Sequence, residues 1–417
     1  MKQPYPLIPL SPRALNFLAL ADANDNGNSC DLVILKGTPE QRDLSQAIDK
    51  IAKTHPIMQS RIVRKSLRYY WQFDTHLLPE KEFLDWSDEF DSFELWHRAL
   101  RNHLFKDIVD PFNSSPVKFI CIQYREYFAL LFLSSHIASD GSSGYLLFKQ
   151  LSAYLNSEPI AVADNSFERE AALFDCCGTK AYLTAVKQLA CNLVRSCSKV
   201  ALSKGNSNQC QVEYVDLGER ATKNLIEWSK QRGCSVNVAL NYVLSESLCR
   251  DRGLSVLETM SVRDISKQPL EYAYNNLVIV FESYIGGSNT WIDEYARHLQ
   301  QLKREGYRAF QAQQKIQALS INLLPRAALK TLVRIYKRLF LKGNVILSNL
   351  GVVDFDLSHV GKYEIVDVYN FSVPLPPAGL AVVVSTYRQK LRVSFTHRGG
   401  DISDYMSAIE ANILSIK

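Results

Sequence analysis

The sequence lacks the features that mark several large classes of protein. Among its 417 residues there is no run of 18 or more apolar side chains, so no membrane-spanning helix is predicted. Neither G-x-x-x-x-G-K-[ST] nor G-x-G-x-x-G occurs, which argues against a dedicated loop for nucleotide phosphates. Basic and aromatic residues do not interleave as in RNA-recognition motifs, and a net charge of +5 gives no reason to expect a nucleic-acid partner.

Cysteine and histidine show neither metal-ligand spacing nor a disulfide framework. The nine cysteines are irregularly spaced, and the pair Cys176 and Cys177 are chain neighbours, which rarely bridge. The histidines other than His136 have no ligand spacing and no cysteine partner, so no metal is expected. The residues Met1–Pro4 begin no secretory segment. We therefore expect reduced thiols in a cytoplasmic protein.

The most informative stretch that is present runs from Ser135 to Gly141 and reads S-H-I-A-S-D-G. It follows directly on the apolar run Tyr127–Leu133, which has the length and composition of a buried strand, so His136 is predicted where a strand ends. A neutral imidazole can take a proton from an attacking group and later return it. A lone histidine at a strand end is more often an ordinary surface or core residue than a catalytic one. The surrounding sequence therefore has to decide between these two interpretations.

Apolar runs and amphipathic stretches alternate along the chain and predict a mixed α/β fold. Residues 1–160 are predicted to form an N-terminal half with the His136 motif, 161–208 a crossover segment, and 209–417 a C-terminal half. Short turns separate three predicted strands near the C-terminus, which favours one antiparallel sheet for all three. These strands are Lys362–Tyr369, Ala381–Thr386 and Leu391–Thr396.

Several further motifs follow the His136 stretch in a fixed order. They are Ser235-Val236-Asn237, Met260–Arg263, Asn275-Asn276 and Ser348–Gly351. Together with the H-x-x-x-D-G stretch, this series resembles the superfamily of chloramphenicol acetyltransferase-like acyltransferases, which includes the condensation domains of peptide synthetases. The resemblance runs almost from end to end. It implies an α/β sandwich of two such subdomains arranged as a V, with a tunnel between them and the histidine at its middle.

The chain also departs from particular branches of that superfamily. Ser135 stands where condensation domains usually carry a first histidine, and Gly351–Phe355 replaces the D-F-G-W-G motif of plant-type enzymes. The pair Asn275-Asn276 replaces a usual glycine. A stand-alone alcohol acyltransferase, wax-ester or polyketide-ester type of enzyme is therefore the nearest match that the resemblance gives.

The resemblance also implies roles for individual residues. His136 is expected to be the general base, and Ser348 and the backbone N–H near Gly141 the donors to an oxyanion. Asp140 is interpreted as structural, in a buried salt bridge with Arg263 or Arg61. Asn276 and Asn349 are expected to contact substrate.

The predicted reaction moves an acyl group from a thioester of CoA or of a carrier protein to an alcohol, or to an amine. Acyl-CoA or acyl-phosphopantetheine is then a co-substrate, and no bound cofactor, metal or covalent enzyme intermediate is required. The acceptor is a small molecule or a lipid, and a monomer is expected. Two alternatives stay open: an amide-forming, condensation-type enzyme with a carrier-bound donor, and a catalytically silent protein that binds acyl chains or a partner.

Two basic amphipathic stretches, Leu323–Lys342 and Thr184–Lys204, admit more than one interpretation. Each is typical of a surface helix with a solvated basic face. The alternatives are peripheral contact with an anionic membrane, docking of an acidic acyl carrier protein, or attraction of the CoA phosphates.

Overall fold

The structure is a computed structural model that describes most of the chain. The described residues are 7–24, 27–160, 177–194, 210–248, 253–262, 274–286, 290–303, 307–325, 328, 331–333, 335, 345–353, 358–374 and 379–416. The greater part of the predicted crossover segment, Arg263, and most of the stretch 323–342 therefore lie outside the described residues.

The first half contains two sheets, four described α-helices and a short 3-10 helix at Pro56–Gln59. A three-stranded sheet has the order β1-β4-β3, and β2, β5, β6 and β7 belong to a six-stranded sheet. The elements are β1 (Leu7–Pro9), α1 (Pro12–Asn24), β2 (Asn28–Lys36), α2 (Gln41–Thr54), β3 (Ser60–Lys65), β4 (Arg68–Phe73), β5 (Glu80–Asp85), α3 (Phe93–His103), β6 (Val117–Tyr124), β7 (Tyr127–Ser135) and α4 (Gly141–Leu155).

Strand β7 is buried on both faces, which explains why its sequence is apolar throughout. Phe128, Leu130 and Phe132 belong to one hydrophobic cluster, which also contains buried residues of α2 and α4. The alternate residues Leu131 and Leu133 belong to a second cluster, with residues of α3. Side chains of a strand alternate between its two faces, so a continuous apolar run results when helices cover both.

The second half is built around another six-stranded sheet, with the order β10-β9-β11-β14-β15-β8. Its described elements are α5 (Thr179–Val194), β8 (Cys210–Leu217), α6 (Glu219–Gln231), α7 (Val236–Leu248), β9 (Leu254–Ser261), β10 (Val278–Ile285), α8 (Trp291–Gln301), α9 (Tyr307–Leu323), β11 (Val345–Val352), β12 (His359–Val360), β13 (Tyr363–Ser372), β14 (Leu380–Tyr387), β15 (Lys390–Arg398) and α10 (Ser403–Ser415).

Strand β13 does not join the sheet that the sequence predicts for it. The strands β14 and β15 pair antiparallel as expected, but β13 pairs with β2 and so extends the sheet of the first half, whose full order is β12-β13-β2-β7-β6-β5. Short turns indicated only that the strands are close in sequence, whereas the pairing partner is set by long-range packing. The division at residue 209 therefore does not describe sheet membership, because a strand of the C-terminal half completes the N-terminal sheet.

Arg392 connects the two large sheets. From β15 its guanidinium donates to the carboxylate of Asp216 on β8, including a 2.7 Å bond from Nη2, and to Asp367 on β13 through Nη1 at 2.7 Å. The guanidinium also lies 3.8 Å from the ring centroid of Tyr369. A planar guanidinium can serve both carboxylates and stack on an aromatic face at once, which lysine cannot reproduce. Burial lowers the pKa of Arg392, but the two carboxylates outweigh this effect, and the pKa lies above its usual range.

We expect Arg392→Met to lower the free energy of unfolding by about 2 kcal/mol, because Asp367 loses a charge-assisted hydrogen bond at the junction of the sheets. Urea denaturation measures this. The control is Lys223→Met, since Lys223 is 76% exposed and its pair with Glu227 at 3.8 Å spans one turn of a surface helix. That control should change stability by less than about 0.5 kcal/mol. Equal effects of the two substitutions would contradict the role assigned to Arg392.

Candidate active site

His136 lies just beyond the end of β7, with its imidazole in the protein interior. Its backbone N–H donates to the carbonyl oxygen of Gly27 at 2.8 Å, which continues the pairing of β7 with β2 by one residue. Its ring centroid is 5.6 Å from that of Phe17 on α1. Burial lowers the pKa of His136, and the Ser139 carbonyl and the Asp140 charge oppose this shift only in part.

Two hydrogen bonds determine which ring nitrogen carries the proton. Nδ1 lies 3.0 Å from the carbonyl oxygen of Ser139, and Nε2 lies 3.1 Å from the hydroxyl of Ser372. A carbonyl oxygen only accepts, so the proton is assigned to Nδ1. Nε2 then carries a lone pair and accepts from Ser372. His136 is thus held as a neutral base.

The turn that carries His136 is fixed by Asp140, which is 1% exposed. Asp140 caps α4: its Oδ1 accepts from the backbone N–H and from the hydroxyl of Ser143, both at 3.1 Å. Its Oδ2 accepts from the backbone N–H of Leu277, in the second half, at 2.8 Å. The carboxylate therefore ties the His136 turn both to its own helix and to the opposite half.

The predicted arginine partner of Asp140 is not Arg61. Arg61 is exposed on β3, where its Nε donates to the side chain of Gln72 at 3.3 Å. A solvated strand position cannot supply a buried counter-ion. Arg263 lies outside the described residues, and its pairing with Asp140 stays a prediction.

Asn276 was expected to contact substrate, but the structure places it behind the site. Its side chain is fully buried, and its Nδ2 donates to the carbonyl oxygen of His136. Its own carbonyl accepts from Nη1 of Arg13 at 3.0 Å. The neighbouring carbonyl oxygen of Asn275 lies 3.0 Å from the Ser143 hydroxyl, whose single proton is shared between this carbonyl and Asp140. The pair of asparagines therefore holds the His136 turn and the start of α4.

Ser348 and Asn349 approach the site from β11 of the second half. Thr259 Oγ1 donates to Ser348 Oγ at 3.0 Å, so the proton of Ser348 is available to another acceptor. Asn349 Oδ1 accepts from the backbone N–H of Gly351 at 2.9 Å, which leaves its amide NH2 to other partners. Leu350 packs on Gly141 so closely that a Cβ there would lie 2.6 Å from Leu350 Cδ2. A glycine at 141 thus lets the two halves meet beside His136.

A cavity of about 1450 Å³ opens between the two halves at this point. It exceeds the 300–1,000 Å³ typical of sites for one drug-sized ligand, so it has room for two substrates. The expected residues His136, Asp140, Gly141, Ser348 and Asn349 all line it, whereas Asn276 and Arg61 do not. Much of the remaining wall is apolar and comes from α1, α5, α9 and the second sheet, including Phe17, Leu189, Val280, Phe310, Ile316 and Ile346.

Sequence reasoning missed a polar row on one face of the first sheet. The register of β13 with β2 sets Ser372 opposite Ser29 and Asn370 opposite Asp31, and all four line the cavity. Asn370 Nδ2 donates to Asp31 Oδ1 at 2.5 Å. Burial raises the pKa of Asp31 to about 7. All four lie far from the His136 motif in sequence: the pairing of β2 with β7 brings Ser29 and Asp31 beside it, and the pairing of β13 with β2 adds Asn370 and Ser372.

The close approach of Asp31, a member of this polar row, requires glycine at position 144. A Cβ at this position in α4 would lie 2.0 Å from Asp31 Oδ2. The start of α4 therefore packs directly against the carboxyl group of Asp31, with no room for a side chain at position 144.

Two features are absent from the described part of the chain. No group of three or more His, Cys, Asp or Glu side chains there could hold a metal ion. No helix in that part of the chain has both the length and the apolar character needed to cross a bilayer. Of the basic stretch 184–204, the structure describes only the part within α5, where Lys187 is exposed and Leu189 lines the cavity.

Comparisons with known proteins identify the fold. Neither the family models nor the curated proteins give a match to this sequence. Among solved structures, the epimerization domain from the third module of tyrocidine synthetase B is similar, with a TM-score of 0.71 and 14% identity over 100% of this chain and 98% of that domain. The condensation domain of Monacolin K polyketide synthase has a TM-score of 0.69 and 10% identity over 100% and 99%.

A third similar structure is a starter condensation domain of rhizomide synthetase, solved as a variant in complex with C8-CoA. Its TM-score is 0.69 at 12% identity, over 99% of this chain and 96% of that domain. The chain has the fold of condensation and epimerization domains over its whole length. The predicted fold class is thereby confirmed: an α/β sandwich of two chloramphenicol acetyltransferase-like subdomains. Identities this low establish the shared fold alone.

We expect Asp140→Ala to destabilise the protein by about 3 kcal/mol, because it removes the cap of α4 and leaves the buried Leu277 N–H without its carboxylate acceptor. Thermal or urea unfolding measures the change. Ser92→Ala is the matched control, since Ser92 caps α3 at a half-buried position through one 3.3 Å bond from the Leu95 N–H. It should cost about 1 kcal/mol or less. An Asp140→Ala variant with the wild-type melting temperature would refute the structural role.

Proposed function

We propose that the protein is an acyltransferase that moves an acyl group from a thioester to an acceptor, with His136 as general base. The observation that supports this most is the arrangement of His136 itself. Its Nδ1 proton is engaged by the Ser139 carbonyl, and its Nε2 lone pair is directed to a hydroxyl within a cavity large enough for two substrates. This is the geometry required of a base that deprotonates an attacking hydroxyl or amine.

In the proposed reaction the acceptor oxygen or nitrogen gives its proton to Nε2 as it attacks the thioester carbonyl. The tetrahedral oxyanion needs fixed donors, which typically contribute about 3 kcal/mol each. Candidates are the hydroxyl of Ser348, whose proton is not used by Thr259, and the backbone N–H of Gly141 in the first turn of α4. The carbon–sulfur bond then breaks, and His136 returns its proton to the leaving thiolate.

Different observations bear on the chemical class of the acyl donor and on that of the acceptor. A condensation domain of the same fold binds C8-CoA, which makes an acyl-CoA the first donor to test and a carrier-bound thioester the second. Ser135 stands in place of a first histidine, which favours an alcohol as the acceptor and hence an ester as the product. The fold relatives favour the alternative, an amide formed from a carrier-bound donor. The apolar wall of the cavity fits an aliphatic acyl chain or a lipid acceptor, and peripheral membrane contact or carrier docking would use the basic helix α5.

We expect His136→Ala to lower kcat/KM by about 10²- to 10⁴-fold while leaving the protein folded. The purified protein is incubated with acyl-CoAs of increasing chain length and with pooled alcohols and amines, and free CoA is measured by mass spectrometry. Gln150→Ala is a suitable control, since Gln150 on α4 is buried against His55 and does not line the cavity. Acceptor-dependent CoA release that persists in His136→Ala would rule out the general-base role. Silence with every acyl-CoA, followed by silence with carrier-bound donors, would favour the catalytically silent alternative.

The pH profile provides an independent test of the same role. The active form has neutral His136, and burial lowers its pKa below the usual value of about 6.5. The logarithm of kcat/KM should therefore stay level as pH falls to about 6.5 and decline only below it. Asp31 also lines the cavity and has a pKa raised to about 7, so the profile is repeated in Asp31→Asn. An acid limb above pH 7 that persists in Asp31→Asn would contradict the assignment to His136.

A further inference from the structure

Ser372 and His136 have the geometry of a nucleophile and its base. The hydroxyl oxygen lies 3.1 Å from Nε2, within the 2.6–3.2 Å that characterises such pairs. The base is in turn oriented by a third group, the Ser139 carbonyl at 3.0 Å from Nδ1. Because the Nδ1 proton is engaged there, Ser372 is the donor in its bond, and its proton already points at the lone pair that would receive it.

Ser372 is also accessible from the cavity. It is the last residue of β13, is only half-buried, and lines the cavity together with His136. Nothing in the local sequence marks it, since it lies 236 residues from His136 and reaches the site only because β13 pairs with β2.

An oxyanion formed next to Ser372 would have donors on the same wall. Gly141 and Ser142 line the cavity in the first turn of α4, where a helix supplies no internal acceptor for its N–H groups. The positive end of the helix dipole adds to their effect. The pair of Ser372 and His136 therefore lies in a cavity that can stabilise a tetrahedral intermediate.

We propose that Ser372 itself accepts the acyl group when no acceptor is bound, so that the protein has a second activity as a self-acylating, slow thioester hydrolase. This inference rests on the proposed acyl transfer with His136 as base. A bound acceptor competes with Ser372 for Nε2 and takes the acyl group directly. Without one, the serine hydroxyl is the nucleophile that remains at the base.

Each step balances. Ser372 Oγ gives its proton to Nε2 and forms a bond to the thioester carbonyl carbon. The carbon–sulfur bond breaks, and the thiolate leaves as the free thiol with the proton from His136. The product is an oxygen ester on Ser372. Water then gives a proton to Nε2 and attacks that ester, the carbon–Oγ bond breaks, and Ser372 regains its proton as the carboxylic acid departs.

The test uses the purified full chain with octanoyl-CoA and no acceptor, quenched at short times. Intact-mass spectrometry measures protein acylation, peptide mapping locates it, and free CoA is measured in parallel. Neutral hydroxylamine removes thioesters from the protein's cysteines and leaves an oxygen ester in place. We expect one hydroxylamine-resistant octanoyl group on Ser372, lost in Ser372→Ala and in His136→Ala.

Two further variants keep the result interpretable. Ser372→Cys should move the adduct to a thioester at the same position that hydroxylamine removes, which shows that the site is still folded. The exposed Ser403→Ala should acylate as the unaltered protein does. Acceptor-dependent CoA release without any ester on Ser372 would overturn this inference and leave the proposed acyl transfer intact. An adduct that maps to another residue would also overturn it, whereas the absence of thiol release from both acyl-CoA and carrier-bound donors, with and without acceptors, would remove both proposals.

Discussion

One hydrogen bond decides what this site can do. His136 Nδ1 donates to the Ser139 carbonyl oxygen at 3.0 Å, and this contact keeps the ring proton away from the cavity. The lone pair therefore stays on Nε2, where a hydroxyl meets it. Burial disfavours the imidazolium form, so the ring stays a neutral base near neutral pH. If the Ser139 carbonyl rotated away, nothing would hold the proton on Nδ1. The proton could then move to Nε2, which would no longer have a lone pair facing the cavity.

The turn that presents this carbonyl is held from both halves of the protein. Asp140 accepts from Ser143 in α4 and from Leu277 in the second half, and Asn276 donates to the His136 carbonyl. Strand β13 makes the dependence mutual, because it belongs to the second half in sequence and to the first sheet in space. Contacts from both halves of the protein thus hold the one turn that orients the His136 ring.

The sequence predicts the local part of this arrangement and not the long-range part. An apolar run followed by H-x-x-x-D-G places His136 at a strand end, and the structural role of Asp140 follows from the same stretch. Strand pairing carries no local signal, so Ser372, which β13 brings to β2, and Asp31, which β2 brings to β7, could not be associated with His136. The predictions that Arg61 pairs with Asp140 and that Asn276 contacts substrate were wrong for a related reason. A motif gives the order of residues along the chain, whereas the burial of each side chain depends on what packs over it. Asn276 is enclosed behind the turn, and Arg61 is left on a solvated strand.

The most direct measurement is the protonation state of the His136 ring, obtained by nitrogen NMR of the histidine-labelled protein across a pH titration, with His136→Gln to assign the signal. A neutral ring protonated at Nδ1, with a pKa below the usual value of about 6.5, is the predicted result. A ring protonated at Nε2, or one that stays charged at neutral pH, would contradict the role of His136 as the base of this site.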